Sequence, residues 1–229
     1  MVNPANEKLN QQIFEITTGI LLGDTSLQRP LGCRSYRLRF AQNSIRQDYV
    51  IHLFKKYKNG VKINDSTKPL ISQTEPRPYL YKTKINKLNK KSYCFETRIS
   101  SAFNEHANIF YFDQSSKKNL CNNLDIFYDI LTPKALAYWY MDDGTWPNKK
   151  AKSFQLCTHG YTVEQVTYLS NLLNTKFKLI TKIGFNKKQP IIRISSKSYE
   201  IFSDLIYDTL IKIPSTQDKF PLKKLEDIV

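Results

Sequence analysis

An apolar stretch of helical length that closes on an acid occurs twice in this chain, and any fold must accommodate both copies. The first runs Phe14-Glu-Ile-Thr-Thr-Gly-Ile-Leu-Leu-Gly-Asp-Thr25 and the second Leu136-Ala-Tyr-Trp-Tyr-Met-Asp-Asp-Gly144, with the acids at Asp24 and Asp143. They stand 119 residues apart (143 − 24), one half-repeat of a 229-residue chain. A fixed internal period of this kind has to be read before any local detail, because it decides the architecture. Packed side by side across a pseudo-twofold axis, the two helices would bring their carboxylates together.

The segments beyond the two acids are also alike. A short polar loop leads into a strand-like alternation, Ser35-Tyr-Arg-Leu-Arg-Phe-Ala41 in the first half and Lys152-Ser-Phe-Gln-Leu-Cys157 in the second. Period-two alternation puts Tyr36, Leu38 and Phe40 on one face and Arg37 and Arg39 on the other, with Ser153 and Gln155 corresponding to the arginines. Helical segments come next, near Ser44 to Lys56 and near Thr162 to Phe177, the latter opening with the capping-box spacing Thr162-x-x-Gln165. Further strands are expected at Val61 to Ile63 and Lys91 to Ser100, and at Leu179 to Phe185 and Pro190 to Ser195. Terminal helices are expected near Ala102 to Phe110 and Lys197 to Ile211. Residues 1–113 and 132–229 thus form two halves joined by a connector at 114–131. Thr132-Pro133 starts the second acid-bearing helix, as N-cap and first helical residue. The basic, Asn-rich stretch Lys82 to Lys91 suits phosphate tracking or a solvated loop equally.

The charge balance names the class of partner. Lys and Arg outnumber Asp and Glu by 35 to 20, a net +15, and so basic a chain points to a polyanion, with plain solubility as the alternative. No apolar run approaches the roughly 20 residues of a membrane span, so nucleic acid leads over a membrane surface. Cys33, Cys94, Cys121 and Cys157 lie far apart without a CxxC pair, which indicates neither zinc ligands nor a disulfide framework. His52, His106 and His159 are equally scattered, which argues against His-dependent nuclease chemistry.

The paired acids supply a different chemistry. A helix C-terminus carries partial negative charge and free carbonyls, so a carboxylate there calls for a cation. Mg²⁺ prefers oxygen ligands and keeps several waters; it would take Asp24 and Asp143, with the backbone carbonyls of Gly23 and Asp142 and a phosphate oxygen. Gly19 and Gly23 are four apart and share a face that admits a partner backbone, with Ala137 as the corresponding small residue on the second helix. Two unrelated core helices with solvated acids remain the alternative on spacing alone.

Thr17-Thr-Gly-Ile-Leu-Leu-Gly-Asp-Thr25 and Leu136-Ala-Tyr-Trp-Tyr-Met-Asp-Asp-Gly144 resemble the two copies of the nine-residue motif that names the LAGLIDADG homing endonucleases. With Thr132-Pro-Lys-Ala ahead of it, the second resembles the omega-type branch of that family, and the resemblance runs from about Gln12 to Pro221. It implies an α+β fold of two pseudo-symmetric αββαββα halves, packed through the motif helices, each with a curved antiparallel sheet for the major groove of DNA. It implies a monomer that makes Mg²⁺-dependent breaks in both strands of a long, pseudo-asymmetric duplex site. Mn²⁺ would substitute, and Ca²⁺ would support binding without cutting. The eighth motif position, the catalytic acid, falls on Asp24 and Asp143, and the lysine that attends each active site in omega-type enzymes falls on Lys118 and Lys219. Thr25 in place of Gly, and Tyr138 in place of a small residue, depart from the pattern and imply an asymmetric helix interface.

On such sheets Arg37, Arg39, Arg98 and Arg193 suit guanine, and Gln42 and Gln155 suit adenine. Lys182, Lys187 and Lys188 suit phosphates, and Lys152 joins this DNA-binding set. An RNA maturase on the same scaffold and a DNA-binding regulator are the rival functions. Met1 to Gln12 has neither an apolar signal core nor an Arg-rich transit pattern. Synthesis inside a cell or organelle is therefore expected, and the richness in Asn, Lys, Ile, Tyr and Phe suggests the AT-rich genome and matrix of mitochondria.

Overall fold

The computed structural model describes residues 7–58, 61–63, 66–82, 89–111, 118–147 and 150–220. Along them run β1 (Lys8–Leu9), α1 (Gln11–Leu22), β2 (Ser26–Gln28), β3 (Arg37–Asn43), α2 (Gln47–Lys58), β4 (Val61–Ile63), β5 (Ser66–Lys68), β6 (Arg77–Lys82), β7 (Asn89–Glu96), α3 (Asn104–Phe110) and α4 (Ile126–Ile130). The second half adds α5 (Pro133–Asp143), β8 (Gly144–Thr145), β9 (Phe154–Cys157), α6 (Val163–Phe177), β10 (Thr181–Asn186), β11 (Gln189–Ile194) and α7 (Tyr199–Leu210). Short 3-10 turns at Ser44–Arg46, Ser101–Phe103 and Ser196–Ser198 lead into α2, α3 and α7, and another, Pro214–Lys219, comes after α7.

The helix starts have local causes. Asn10 caps α1 by accepting the Ile13 N–H at 2.9 Å, and Thr132 caps α5 by accepting that of Ala135 at 3.2 Å, with Pro133 where no N–H is needed. At α6 the Thr162 hydroxyl and the Gln165 side chain satisfy each other's backbone N–H groups in a full capping box.

Two four-stranded antiparallel sheets have matching orders, β2-β3-β7-β6 and β8-β9-β11-β10. With β1, β4 and β5 of a small separate sheet and the connector helix α4 set aside, each half reads αββαββα. The alternation expected for β3 holds: Leu38 and Phe40 are buried and meet Leu27 and Phe95 across the ladder, while Arg37 and Arg39 stand on the other face. In the second half Phe154, Leu156, Ile192 and Ile194 point inward, and Gln155, Arg193 and Lys182 line up across three strands on the outer face.

One strand assignment is corrected. Val61–Ile63 is extended but belongs to a small separate sheet of order β1-β4-β5. The strand that pairs with β7 on the side away from β3 is β6, which runs through Pro78. Proline is tolerated there because β6 is an edge strand. The expected strand at Lys91 to Ser100 also ends early, at Glu96.

Helices α1 and α5 cross at the centre, and every residue from Ala135 to Asp142 is buried. A Cβ on Gly19 would lie 2.3 Å from the Ala135 carbonyl oxygen and 2.8 Å from the Tyr138 Cβ. The close backbone approach is therefore at Ala135, not at Ala137 as the spacing suggested. Tyr138 fits beside it because its hydroxyl reaches His52 Nε2 at 2.8 Å. Of the connector, Leu120, Phe127 and Leu131 are buried, so this stretch also packs into the core. Residues 112–117, with the expected 113/114 boundary, and residues 83–88 of the basic stretch lie outside the described residues.

Candidate active site

Both motif helices end at the same place. Asp24 lies two residues beyond α1, its carboxylate exposed, and its backbone N–H points to Oδ2 of Asp142 at 3.4 Å. Asp143 is the last residue of α5. Burial pushes its carboxyl up to about 7, the charge of Asp24 adds to this, and the ammoniums of Lys118 and Lys219 oppose it. Asp142 is buried, and its carboxyl is held well above the usual range first by burial and then by Asp24 and Asp143. Burial, together with the Asp142 carboxylate beside it, pushes the buried Tyr49 hydroxyl well up.

A lysine sits on each helix end. Lys118 Nζ donates to the carbonyl of Leu21 at 2.9 Å and to that of Gly23. Lys219 Nζ donates to Met141 at 2.7 Å and Asp142 at 2.6 Å. Each ammonium thus neutralises the negative end of a helix dipole. Burial lowers both amines from their usual range, and the three aspartates pull them back up. The Gly23 and Asp142 carbonyls, expected as metal ligands, are here lysine acceptors, each with a second lone pair.

Asp24, Asp143 and Lys118 open into a cavity of 520 Å³ whose wall also includes Cys157, His159 and Tyr161. Tyr161 fixes that wall by donating from its hydroxyl to the Leu22 carbonyl at 2.9 Å. Sequence reasoning did not single out Tyr161 or Cys157 for this site, and no local pattern marks them. They arrive from the strand and loop that come after the second motif.

The DNA-binding candidates divide. Arg193, Gln155 and Lys182 form one cross-strand row, and Lys187 and Lys188 sit exposed in the β10–β11 turn at φ of 48° and 68°. Arg37 and Arg39 share a face and share Glu96, at 3.0 and 3.7 Å; Arg37 also donates to Gln28 at 3.0 Å. Gln42 donates to Oδ2 of Asp24 at 2.9 Å, which places it beside the acid. Lys152 lies over the Tyr199 ring, 4.2 Å from its centroid. Arg98 departs most from expectation. It falls past the end of β7, clamps Glu7 with two bonds at 2.9 and 3.0 Å and donates to the Pro69 carbonyl at 3.2 Å, so it stands apart from the outer row.

A profile of the LAGLIDADG DNA endonuclease family matches residues 14–202. "Probable intron-encoded endonuclease 1" of Wickerhamomyces canadensis is 33% identical over 203 residues, 86% of this chain and 79% of that protein. "Cytochrome b mRNA maturase bI2" of Debaryomyces hansenii is 30% identical over 76% of this chain and 60% of that protein. The solved structure of the homing endonuclease I-WcaI bound to its DNA recognition sequence superposes with a TM-score of 0.78, at 28% identity, over 95% of this chain and 89% of that one. Two acid-tipped helices crossed at Gly19, two matching sheets and a profile that spans both motifs lead to one conclusion: this chain belongs to the LAGLIDADG DNA endonuclease family.

Proposed function

We propose that this protein is a site-specific homing endonuclease that hydrolyses one phosphodiester in each strand of duplex DNA, using Mg²⁺ held by Asp24 and Asp143. One observation carries the reading. Two carboxylates from two helix ends share one cavity with a half-buried lysine, and burial, with the charge of Asp24 added to it, raises the Asp143 carboxyl. That arrangement stores unfavourable charge that a divalent cation relieves. Among the described residues no three His, Cys, Asp or Glu side chains gather into a cage, and two carboxylates suit an oxygen-seeking ion that keeps its waters. Mn²⁺ would serve in its place, and Ca²⁺ would hold DNA without cutting.

When bound, the metal polarises the scissile phosphate and lowers the pKa of the attacking water. The chain's own groups do the rest. Asp24 and Asp143 would hold the cation, and the ammoniums of Lys118 and Lys219, already inside the site, would offset charge that develops on the phosphate. Arg37, Arg39, Gln155 and Arg193 read base edges from the outer faces of the sheets; Lys182, Lys187 and Lys188 neutralise phosphates. Different side chains on the two sheets suit a long, pseudo-asymmetric target, and two motifs in one chain complete the site in a monomer. A relative named for cytochrome b mRNA supports a mitochondrial gene.

The same relative's name favours RNA maturation as the second reading. Incubation with Mg²⁺ and the uninterrupted allele of its host gene separates them. The nuclease reading expects a double-strand break at one site that is absent with Asp24→Asn. Intact DNA together with tight, specific binding of the intron RNA would overturn it.

A further inference from the structure

Neither active-site lysine is held by its own half alone. Lys219 lies in the 3-10 turn after α7, in the second half, yet that turn is gripped by the start of α2, in the first. Asp48 Oδ2 accepts the Ser215 N–H at 2.9 Å, while Arg46 donates to the Ser215 carbonyl and pairs with Asp218 at 3.3 Å. Both backbone groups of Ser215 are thus taken by residues 169 and 167 positions away. Tyr140 of α5 adds a bond from its hydroxyl to the Lys219 carbonyl at 2.8 Å.

Lys118 is held the same way with the halves exchanged. It lies in the connector, on a stretch tied to the first half by the Asn119 N–H, which donates to the Phe110 carbonyl of α3 at 2.8 Å, and the next two residues are gripped by the start of α6, in the second. Gln165 Nε2 donates to Asn119 Oδ1 at 3.0 Å and to the Leu120 carbonyl at 3.2 Å, while its Oε1 closes the capping box on Thr162. Helices α2 and α6 occupy equivalent places, each coming after the first hairpin of its half.

We infer that Arg46, Asp48 and Gln165 are positioning residues: each half clamps the lysine of the other, so that neither centre is complete until the two halves are docked. A lysine ammonium on a four-carbon stem is mobile by itself, and its reach to the helix-end carbonyls depends on where its backbone is pinned. Displacement on the scale of 1 Å costs up to about 100-fold in rate. The consequence is directional. Loosening the α2 clamp disturbs the Lys219 centre, and loosening the α6 clamp disturbs the Lys118 centre.

Gln165→Glu tests one clamp, because it keeps the capping-box oxygen and replaces the amide donor with a carboxylate oxygen that Asn119 Oδ1 and the Leu120 carbonyl repel. Arg46→Met tests the other; Arg46→Lys, which keeps the charge without the two-pronged reach, serves if the first variant does not fold. The substrate is a duplex selected by the wild-type protein in Ca²⁺ from a random library and labelled on both strands. Lys118→Met and Lys219→Met first identify which strand each lysine serves. In Mg²⁺, Gln165→Glu should slow the Lys118 strand by about tenfold to 100-fold and spare the other, and Arg46→Met should do the reverse, with Ca²⁺-dependent binding retained. Hydrogen exchange of metal-free protein provides a second readout: Arg46→Met should speed exchange at Thr216 and Phe220, and Gln165→Glu at Asn119 and Cys121. The inference rests on the nuclease reading, and its failure is distinguishable. A wild-type protein that cuts neither strand overturns both, whereas wild-type cutting with equal slowing of both strands by each variant overturns the clamps alone.

Discussion

Asp142 meets the backbone of Asp24 across the central helix pair, with its Oδ2 3.4 Å from the Asp24 N–H. Gly23 makes room for it. A Cβ there would stand 2.4 Å from the Asp142 Cβ and 2.6 Å from its Oδ2. The seventh motif positions, Gly23 and Asp142, are therefore complementary rather than equal, a glycine on one helix receiving an acid from the other.

Substitution at the crossing should be costly in a way that surface substitution is not. Gly19→Ala drives a methyl into the Ala135 carbonyl, which cannot turn aside as a side chain would. Overpacking of this kind costs about 1–3 kcal/mol, to be read from urea unfolding. Gly23→Ala should cost a similar amount and also displace Asp142, so that cleavage falls further than stability. Wild-type stability for Gly19→Ala would mean that the helices are not packed this closely.

The two acids should be dispensable for folding and essential for cutting. Asp24→Asn and Asp143→Asn keep side-chain shape but remove the charge that holds the cation. Duplex binding in Ca²⁺ or without metal should persist or tighten, because two carboxylates facing phosphate repel it. A folded variant that linearised a plasmid carrying the site at the wild-type rate would overturn the assignment.

Asp143 should make the metal-free protein less stable as pH rises. Its folded value of about 7 lies above the ordinary 3.8, so between those limits the folded chain keeps a proton that the unfolded chain has released. Stability from this group therefore falls from about pH 4 to pH 7, and the cost is full above that. Asp143→Asn removes it, and should stabilise the metal-free protein by on the order of 2–4 kcal/mol at pH 8 and much less at pH 5, measured by thermal melts at both values. Metal affinity should fall as pH drops below 7, since the cation must then displace that proton.

Arg193 and Arg98 should separate under mutation despite identical chemistry. Arg193→Ala is expected to weaken site binding by about 1–3 kcal/mol, whereas Arg98→Ala should leave the Kd nearly unchanged and lower the melting temperature, because its partner is Glu7. The whole interface should respond to salt: six to ten phosphate contacts would mean a loss of about 10³ to 10⁵ in affinity between 50 and 200 mM. A flat salt response in a titration would remove the basic-face reading.

Features with local causes were legible in the sequence alone. The two apolar helices, their acids one half-repeat apart, the Thr132-Pro133 start, the Thr162 capping box and the alternation of Leu38 and Phe40 against Arg37 and Arg39 all depend on residues within a few positions of one another. Tertiary structure decided whatever depends on a distant partner. The pairing of β6 rather than β4 with β7, the approach at Ala135 rather than Ala137 and the capture of Arg98 by Glu7, 91 residues away, turn on which surfaces meet, and a strand or a charge carries no local mark of its partner. The candidate site divides along the same line. Its acids could be named from their repeat, but the seats of Lys118 and Lys219 on the two helix ends, and the raised carboxyl of Asp143, arise only when the two halves exclude water from a shared cavity.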